Sequence, residues 1–100
     1  MLSVVLATFN EEKNIAQCLS SIQTIADEII VVDGSSTDNT VAIAKKHGAK
    51  VISTTNKKNF HINKQMAMDA ATGEVILQLD ADEWPDAELL KNIKKIHTQV

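Results

Sequence analysis

Four short, mostly apolar runs recur along the chain and are separated by longer stretches that contain polar residues. The runs are Leu2–Ala7, Glu28–Val32, Lys50–Ser53 and Glu74–Leu79. Segments such as Ile29–Val32 and Val75–Leu77 hold consecutive apolar residues, which is typical of strands covered on both faces. The pattern therefore predicts four strands of a parallel sheet.

Between and after these strands, apolar side chains recur at intervals of three and four residues, as amphipathic helices require. The sets that share a helix face are Ile15, Leu19 and Ile22; Val41 and Ala44; Ile62, Met66 and Ala70; and Leu89, Ile93 and Ile96. Asn10 and Thr37 are predicted to cap the first two helices, and Gly48 and Gly73 to end the second and third. The order βαβαβαβα predicts an α/β fold with three layers and the sheet in the middle.

The composition narrows the kind of protein. With 44% apolar residues, three Gly and one Pro, the 100-residue chain has no room for linkers, and two independent domains are excluded. The net charge of −3 gives no general cationic surface, so neither nucleic acid nor an anionic membrane is an expected partner. The single cysteine, Cys18, excludes an internal disulfide and is predicted to be a small core residue.

The two ends of the chain bear on targeting and on truncation. Residues 1–8 are apolar but too short for a signal peptide or a membrane span, and they lack a basic leader. The last helical pattern runs to Val100 without a cap or a turn. We expect a cytoplasmic protein that continues beyond this residue.

Candidate chemistry lies where the strands end. Right-handed crossovers bring the carboxyl ends of parallel strands to one edge, where open α/β sheets bind ligands. The polar segments that follow the four strands are Thr8–Glu12, Asp33–Asp38, Thr54–Lys58 and Asp80–Glu83. Asp80 and Asp82 would repel each other unless a cation lay between them, which favours Mg²⁺ or Mn²⁺ bound together with substrate phosphates. Solvated acids that cap the next helix would show the same spacing.

The end of the second strand offers a further acceptor. Asp33 precedes a turn of small residues, and a carboxylate in this place can accept hydrogen bonds from a base or a ribose. A turn without a ligand is the alternative. The chain has neither the GxGxxG of dinucleotide-binding domains nor a GxxxxGK[ST] phosphate loop.

Other residues near the edge are open to two interpretations. Phe9 can stack on a nucleobase or cover the core. Lys64 ends a stretch of six lysines that begins at Lys45 and contains no acid, and it can meet a diphosphate or belong to a solvated face. Trp84 is predicted to cover the edge of the core, and the three histidines show no ligand spacing.

Three segments, taken together in order and spacing, strongly resemble the N-terminal half of a family 2 glycosyltransferase of the GT-A fold. They are Ser3–Glu12, Asp33–Thr40 with the strand before it, and Gly73–Glu83. The bacterial lipopolysaccharide-core type is the most similar, through the stretch at residues 44–50 and through Asn59-Phe60. The resemblance covers essentially the whole chain and implies a Rossmann-like nucleotide-binding half.

The resemblance implies a role for particular residues. Ala7, Thr8 and Phe9 would lie along the base with Glu12 nearby, and Asp33 would hold the base or ribose. On the phosphate side, Lys64 would approach the diphosphate, Asp80 would contact the ribose or the metal, and Asp82 would be the main metal ligand. The chain departs from the family's usual pattern at Gly34-Ser35 and at Gln65.

The implied reaction is inverting transfer from a nucleotide-diphospho-sugar, with a UDP-sugar preferred, to a glycan or lipid-linked acceptor of the cell envelope. The family's acceptor base lies in its C-terminal half, so no catalytic residue is assigned here and the chain alone is expected to be inactive. Membrane contact would come only through regions outside this chain, at the cytoplasmic face of the inner membrane. Two alternatives are a stand-alone nucleotide-binding or interaction module, which would include a homodimer through the sheet edge, and a receiver-like phosphoacceptor centred on Asp33.

Overall fold

A computed structural model describes residues 1–55 and 60–81 of the chain. Within these residues, strands and helices alternate: β1 Leu2–Thr8, α1 Ile15–Ile22, β2 Glu28–Asp33, α2 Thr40–Lys46, β3 Lys50–Ser53, α3 Phe60–Ala70 and β4 Val75–Asp80. Each predicted strand is confirmed to within one residue at its ends. The predicted fourth helix lies outside the described residues.

The strands form one parallel sheet in the order β3-β2-β1-β4. The first strand is central, and all seven of its residues are buried. Consecutive strands β3 and β4 lie at opposite ends of this order, so the connection through α3 crosses over β2 and β1. The sheet confirms the predicted α/β class.

Helices cover both faces of the sheet. On one face, α1 and α2 close the larger core, in which Leu6, Leu19 and Val31 are fully buried. On the other face, α3 packs through Ala67 against Val5 and the neighbouring β2 residues. Cys18 is buried in the larger core, as predicted. None of the described helices combines the length and the apolar character that crossing a bilayer would require.

The prediction that β4 is covered on both faces is wrong for the described part of the chain. Val75, Leu77 and Leu79 pack toward α1 and α2, whereas Ile76 keeps 40% of its surface exposed. The reason is the placement of α3, which lies over β1 and β2 and leaves the outer part of β4 uncovered by described residues.

The inward face of α3 also differs from the predicted one. Met66 and Ala70 pack against the core beneath this helix as predicted, but Ile62 is 43% exposed, and the fully buried positions are Asn63 and Ala67. A small residue at Ala67 lets the helix approach the sheet closely, and the Thr54 hydroxyl donates a 3.4 Å hydrogen bond to Asn63 Oδ1. Apolar spacing alone could not find a helix face that is anchored by a buried amide.

The helix boundaries correct two predicted caps. The helices α1 and α2 begin after Asn14 and Asn39 rather than after Asn10 and Thr37. Gly48 ends α2 with a φ of +83°, as predicted, because a residue without Cβ adopts this conformation without strain. Gly73 lies three residues beyond the end of α3, so it does not end that helix; it lies instead against the backbone of Met1 and Ser3.

At the amino ends of the strands, Glu28 of β2 connects β1 with the segment that follows α3. Its carboxylate accepts hydrogen bonds from the Ser3 hydroxyl of β1 at 2.8 Å and from the Thr72 backbone N–H at 2.9 Å. Gly73 N–H donates in turn to Ser3 Oγ at 2.9 Å. The Thr72 amide and the Ser3 hydroxyl outweigh partial burial and hold the pKa of Glu28 below its ordinary value.

This arrangement predicts a pH-dependent stability difference. Glu28→Gln is expected to lower the free energy of unfolding at pH 7 by about 1 kcal/mol, because the amide accepts fewer of these hydrogen bonds. Since the folded pKa is depressed, the contribution is complete above the unfolded value of 4.5 and is lost as the pH falls through the folded pKa. Urea unfolding of both proteins from pH 7 to pH 3 measures the gap. A gap that stays constant below pH 4.5 would contradict the assignment.

Candidate functional site

The strand register brings three polar strand ends level with one another. Thr8 of β1 is paired with Asp33 of β2, and Asp33 is paired with Ser53 of β3. On the other side of β1, Ala7 is paired with Asp80 of β4. Because consecutive strand residues point to opposite faces, Asp33 and Asp80 lie beside the end of the central strand on opposite faces of the sheet.

The Asp33 carboxylate is the centre of the first group. It is 1% exposed and accepts hydrogen bonds from Thr8 Oγ1 at 2.8 Å, Ser36 Oγ at 2.6 Å and the Ser36 backbone N–H at 2.8 Å. Its own backbone carbonyl accepts from Thr54 N–H at 2.8 Å. A carboxylate enclosed in this way is poorly placed to attack phosphorus, which argues against the receiver-like alternative.

Hydrogen bonds hold the loop after β1 against the loop after β2. Asn10 N–H donates to Ser36 Oγ at 2.8 Å, and Asn10 Oδ1 accepts from Thr37 N–H at 2.8 Å. Glu11 N–H donates to the hydroxyl of the buried Thr40 at 2.9 Å. Asn10 has a φ of 52°, a left-handed conformation that asparagine tolerates better than most residues. The two loops thus behave as one hydrogen-bonded unit.

Glu12 lies in the outer part of this unit. Its backbone N–H donates to Asp38 Oδ2 at 3.2 Å, and its carboxylate accepts from Asn39 Nδ2 at 2.8 Å. Partial burial opposes ionisation of Asp38, but hydrogen bonds from Thr40 and from the Glu12 amide outweigh it and hold the Asp38 pKa below its ordinary value. The carboxylates of Glu12 and Asp38 therefore accept hydrogen bonds from loop residues and stabilise the two loops.

The second group is an ion pair on the other side of β1. Lys64 of α3 places its Nζ 2.9 Å from Asp80 Oδ1, with the two side chains 29% and 52% exposed. The lysine thus reaches the acidic edge, which is one of the two placements that the sequence leaves open. The ammonium offsets the charge of this carboxylate.

Only Asp80 of the predicted metal pair lies among the described residues. Asp82 and Trp84 lie outside the described residues. Among residues 1–55 and 60–81, no three His, Cys, Asp or Glu side chains come close enough to hold a metal together.

The structure separates the remaining predicted residues by their exposure. Ala7 and Thr8 are buried in the sheet, and Phe9 is half-buried at the strand tip. Sequence reasoning missed Ser36 and the bridging role of Asn10. A serine three residues after an aspartate is a common turn signal that could have suggested the contact between Ser36 and Asp33.

A cleft of about 400 Å³ lies away from this chemistry, at the amino ends of the strands. Its lining includes Gln23, Asp27, Glu28, His47 and Lys50. The carboxylates of Asp27 and Glu28 accept hydrogen bonds from Leu2 N–H and Ser3 Oγ, so both stabilise the sheet. The strand ends at the opposite edge remain the better candidate site.

Comparison with known proteins decides the family. The profile of a family described as "Glycosyl transferase family 2" matches residues 3–99. The chain belongs to glycosyl transferase family 2. An uncharacterised glycosyltransferase of Rickettsia typhi is 41% identical over 95 residues, which cover 95% of this chain and 32% of that protein. The chain thus spans about a third of the length of the Rickettsia relatives that it matches.

Solved structures of glycosyltransferases share the fold of this family 2 chain. The mannosyltransferase PcManGT of Pyrobaculum calidifontis, in complex with GDP-Man and Mn²⁺, superposes with a TM-score of 0.77 at 26% identity, covering 93% of this chain and 31% of that one. Glucosyl-3-phosphoglycerate synthase of Mycobacterium tuberculosis, in complex with Mn²⁺, UDP and glucosyl-3-phosphoglycerate, gives 0.66 at 28%, covering 85% and 36%. The predicted GT-A architecture is confirmed.

Proposed function

We propose that residues 1–100 are the nucleotide-sugar-binding part of a longer, metal-dependent glycosyltransferase. The observation that carries the proposal is the placement of the Lys64–Asp80 pair and the Asp33 group on either side of the β1 tip, at the edge where α/β sheets bind ligands. Family membership and the nucleotide complexes of the two similar structures support it.

The two groups suggest how a donor would lie. The base and ribose belong on the side of Phe9, Asp33 and Glu12, with the buried Ala7 and Thr8 forming the floor. The diphosphate belongs on the side of Lys64 and Asp80, where an ammonium can pair with phosphate oxygens. A UDP-sugar is the first donor to test, since UDP is bound in one similar structure and GDP-Man in the other.

The reaction proposed for the whole protein is inverting transfer to a glycan or lipid-linked acceptor. The acceptor oxygen attacks the anomeric carbon, the bond from that carbon to the diphosphate oxygen breaks, and its electron pair leaves with the nucleoside diphosphate. Bound Mg²⁺ or Mn²⁺, held by Asp80 and Asp82, would neutralise charge on this leaving group. The acceptor proton needs a base, and no described residue is assigned that task. The cytoplasmic location and the homodimer stay predictions.

The proposal is tested by titrating the chain with UDP, GDP and CDP, each with and without Mn²⁺, in a calorimeter. UDP is expected to bind, and Mn²⁺ to tighten its binding at least tenfold. Asp82→Ala should remove this enhancement without unfolding the chain, because it relieves repulsion between two nearby carboxylates.

Asp69→Ala is the matched control, since this exposed acid of α3 pairs with Gln65 on its own helix. NMR spectra with Mg²⁺ and UDP should move the signals of Phe9 and Lys64. The donor-site assignment would be abandoned if no nucleotide bound with metal present, or if the control lost the enhancement as fully as Asp82→Ala.

A further inference from the structure

Ser36 joins three parts of the edge through one side chain. Its hydroxyl donates to Asp33 Oδ1 at 2.6 Å, and the same oxygen accepts from Asn10 N–H at 2.8 Å. Because the amide takes an acceptor site on the oxygen, the single hydroxyl proton is left to point at the carboxylate. The serine therefore transmits the position of Asp33 to the loop that follows Phe9.

The backbone around Ser36 is shaped for these contacts. Ser35 has a φ of 67°, a left-handed conformation that non-glycine residues rarely adopt, and its hydroxyl donates to the Thr54 carbonyl at 2.6 Å. This turn directs both the N–H and the hydroxyl of Ser36 at the two oxygens of Asp33. The conformation is held by contacts on both sides of the turn.

Asp33 itself is enclosed by protein. Its carboxylate takes three donors from Thr8 and Ser36, and only 1% of the residue is exposed. A ligand hydroxyl or base N–H would have to displace one of these donors to reach it. Phe9 and the loop residues beyond it are more exposed than the carboxylate that anchors them.

We infer that Asp33 acts in donor binding as a positioning residue, working through Ser36 to fix the loop after β1, and does not itself contact the base. This inference rests on the proposed function and refines it. Direct contact would make Asp33 a reader of base identity, since uracil N3–H donates a hydrogen bond where cytosine N3 accepts one. A positioning role would affect all nucleotides alike.

The test measures UDP and CDP affinities of the chain with Mn²⁺ present, for the wild type, Asp33→Asn, Ser36→Ala and Ser36→Thr. Ser36→Ala should weaken both nucleotides by a similar factor of about tenfold, since it removes a hydrogen bond to a charged group. Asp33→Asn should weaken both in the same proportion. Ser36→Thr keeps the hydroxyl and should restore most of the affinity. Ser20→Ala, which removes an exposed hydroxyl of α1, is the control and should bind as the wild type does.

The outcomes separate a positioning role from direct contact with the base. An Asp33→Asn variant that changes the ratio of UDP to CDP affinity several-fold would show direct base contact and overturn the inference. If Ser36→Ala binds both nucleotides as tightly as the wild type, measured well below the unfolding temperature of the variant, Ser36 is a stabilising residue only. This result would also overturn the inference. No UDP binding by the wild type would overturn the proposed function, and this inference with it.

The NMR chemical shift of the Asn10 amide reports on the hydrogen bond to Ser36 without any nucleotide present. Ser36→Ala should move this signal strongly in the free protein, and Ser36→Thr should return it toward its wild-type position. An Asn10 amide that is unmoved by Ser36→Ala would contradict the link between the two loops.

Discussion

Lys64→Met is expected to weaken UDP binding about tenfold and to strengthen the binding of Mn²⁺ alone by up to about fivefold. The two changes have opposite signs because the ammonium has two competing partners. It lies 2.9 Å from Asp80 Oδ1, where it competes with a divalent cation, and it is placed to pair with the donor's diphosphate. Calorimetry with UDP, and electron paramagnetic resonance of Mn²⁺ without nucleotide, measure the two effects.

Lys45→Met is the matched control for charge. Lys45 is an exposed lysine of α2, on the opposite layer of the fold, and its removal changes the net charge equally. We expect it to leave both affinities nearly unchanged at physiological salt. Equal weakening of UDP binding in both variants would show that only the overall charge matters. Weaker Mn²⁺ binding by Lys64→Met would contradict the competition between the Lys64 ammonium and the metal for Asp80.

Gly73→Ala is expected to lower the free energy of unfolding by about 2 to 4 kcal/mol. A Cβ at this position would lie 2.6 Å from the Met1 carbonyl oxygen and 2.6 Å from Ser3 Oγ. It would also lie 3.0 Å from the Ser3 backbone nitrogen, so the new methyl group meets backbone atoms that cannot rotate away. Relief of the clash would move β4 away from β1. Urea unfolding of the wild type and the variant measures the resulting loss of stability.

Gly48→Ala separates this clash from backbone strain. Gly48 has nothing within 4 Å of its ideal Cβ, but its φ is +83°. Alanine there should cost about 1 kcal/mol, the price of a left-handed conformation alone. A loss of stability in Gly73→Ala no larger than in Gly48→Ala would contradict the steric account.

The sequence predicted the sheet well because its strands are uninterrupted apolar runs with few alternative placements. The sharing of one edge by Thr8, Asp33 and Asp80 was also accessible, since parallel topology dictates which strand ends lie together. The helix starts and the inward face of α3 were predicted less well. Capping signals near Asn10 were ambiguous, and buried Asn63 breaks the apolar pattern that marks a helix face.

Most links between the two loops of the site were beyond sequence reasoning. They depend on left-handed backbone at Asn10 and Ser35, where the more usual glycine is absent. They also depend on distances between two loops that are far apart in sequence. Ser36 therefore looked like an ordinary turn residue, although it contacts the most enclosed carboxylate of the site.

The pairing of β4 with β1 has a consequence for the order in which the edge assembles. Leu2 is paired with Val75, so this contact closes almost the whole described chain into a loop, whereas β1 and β2 meet after a single helix. Chain entropy makes the longer closure more costly and slower. During folding, the Thr8–Asp33 contact can thus form before β4 docks. The Lys64–Asp80 ion pair forms only when β4, the last of the described strands, joins the sheet.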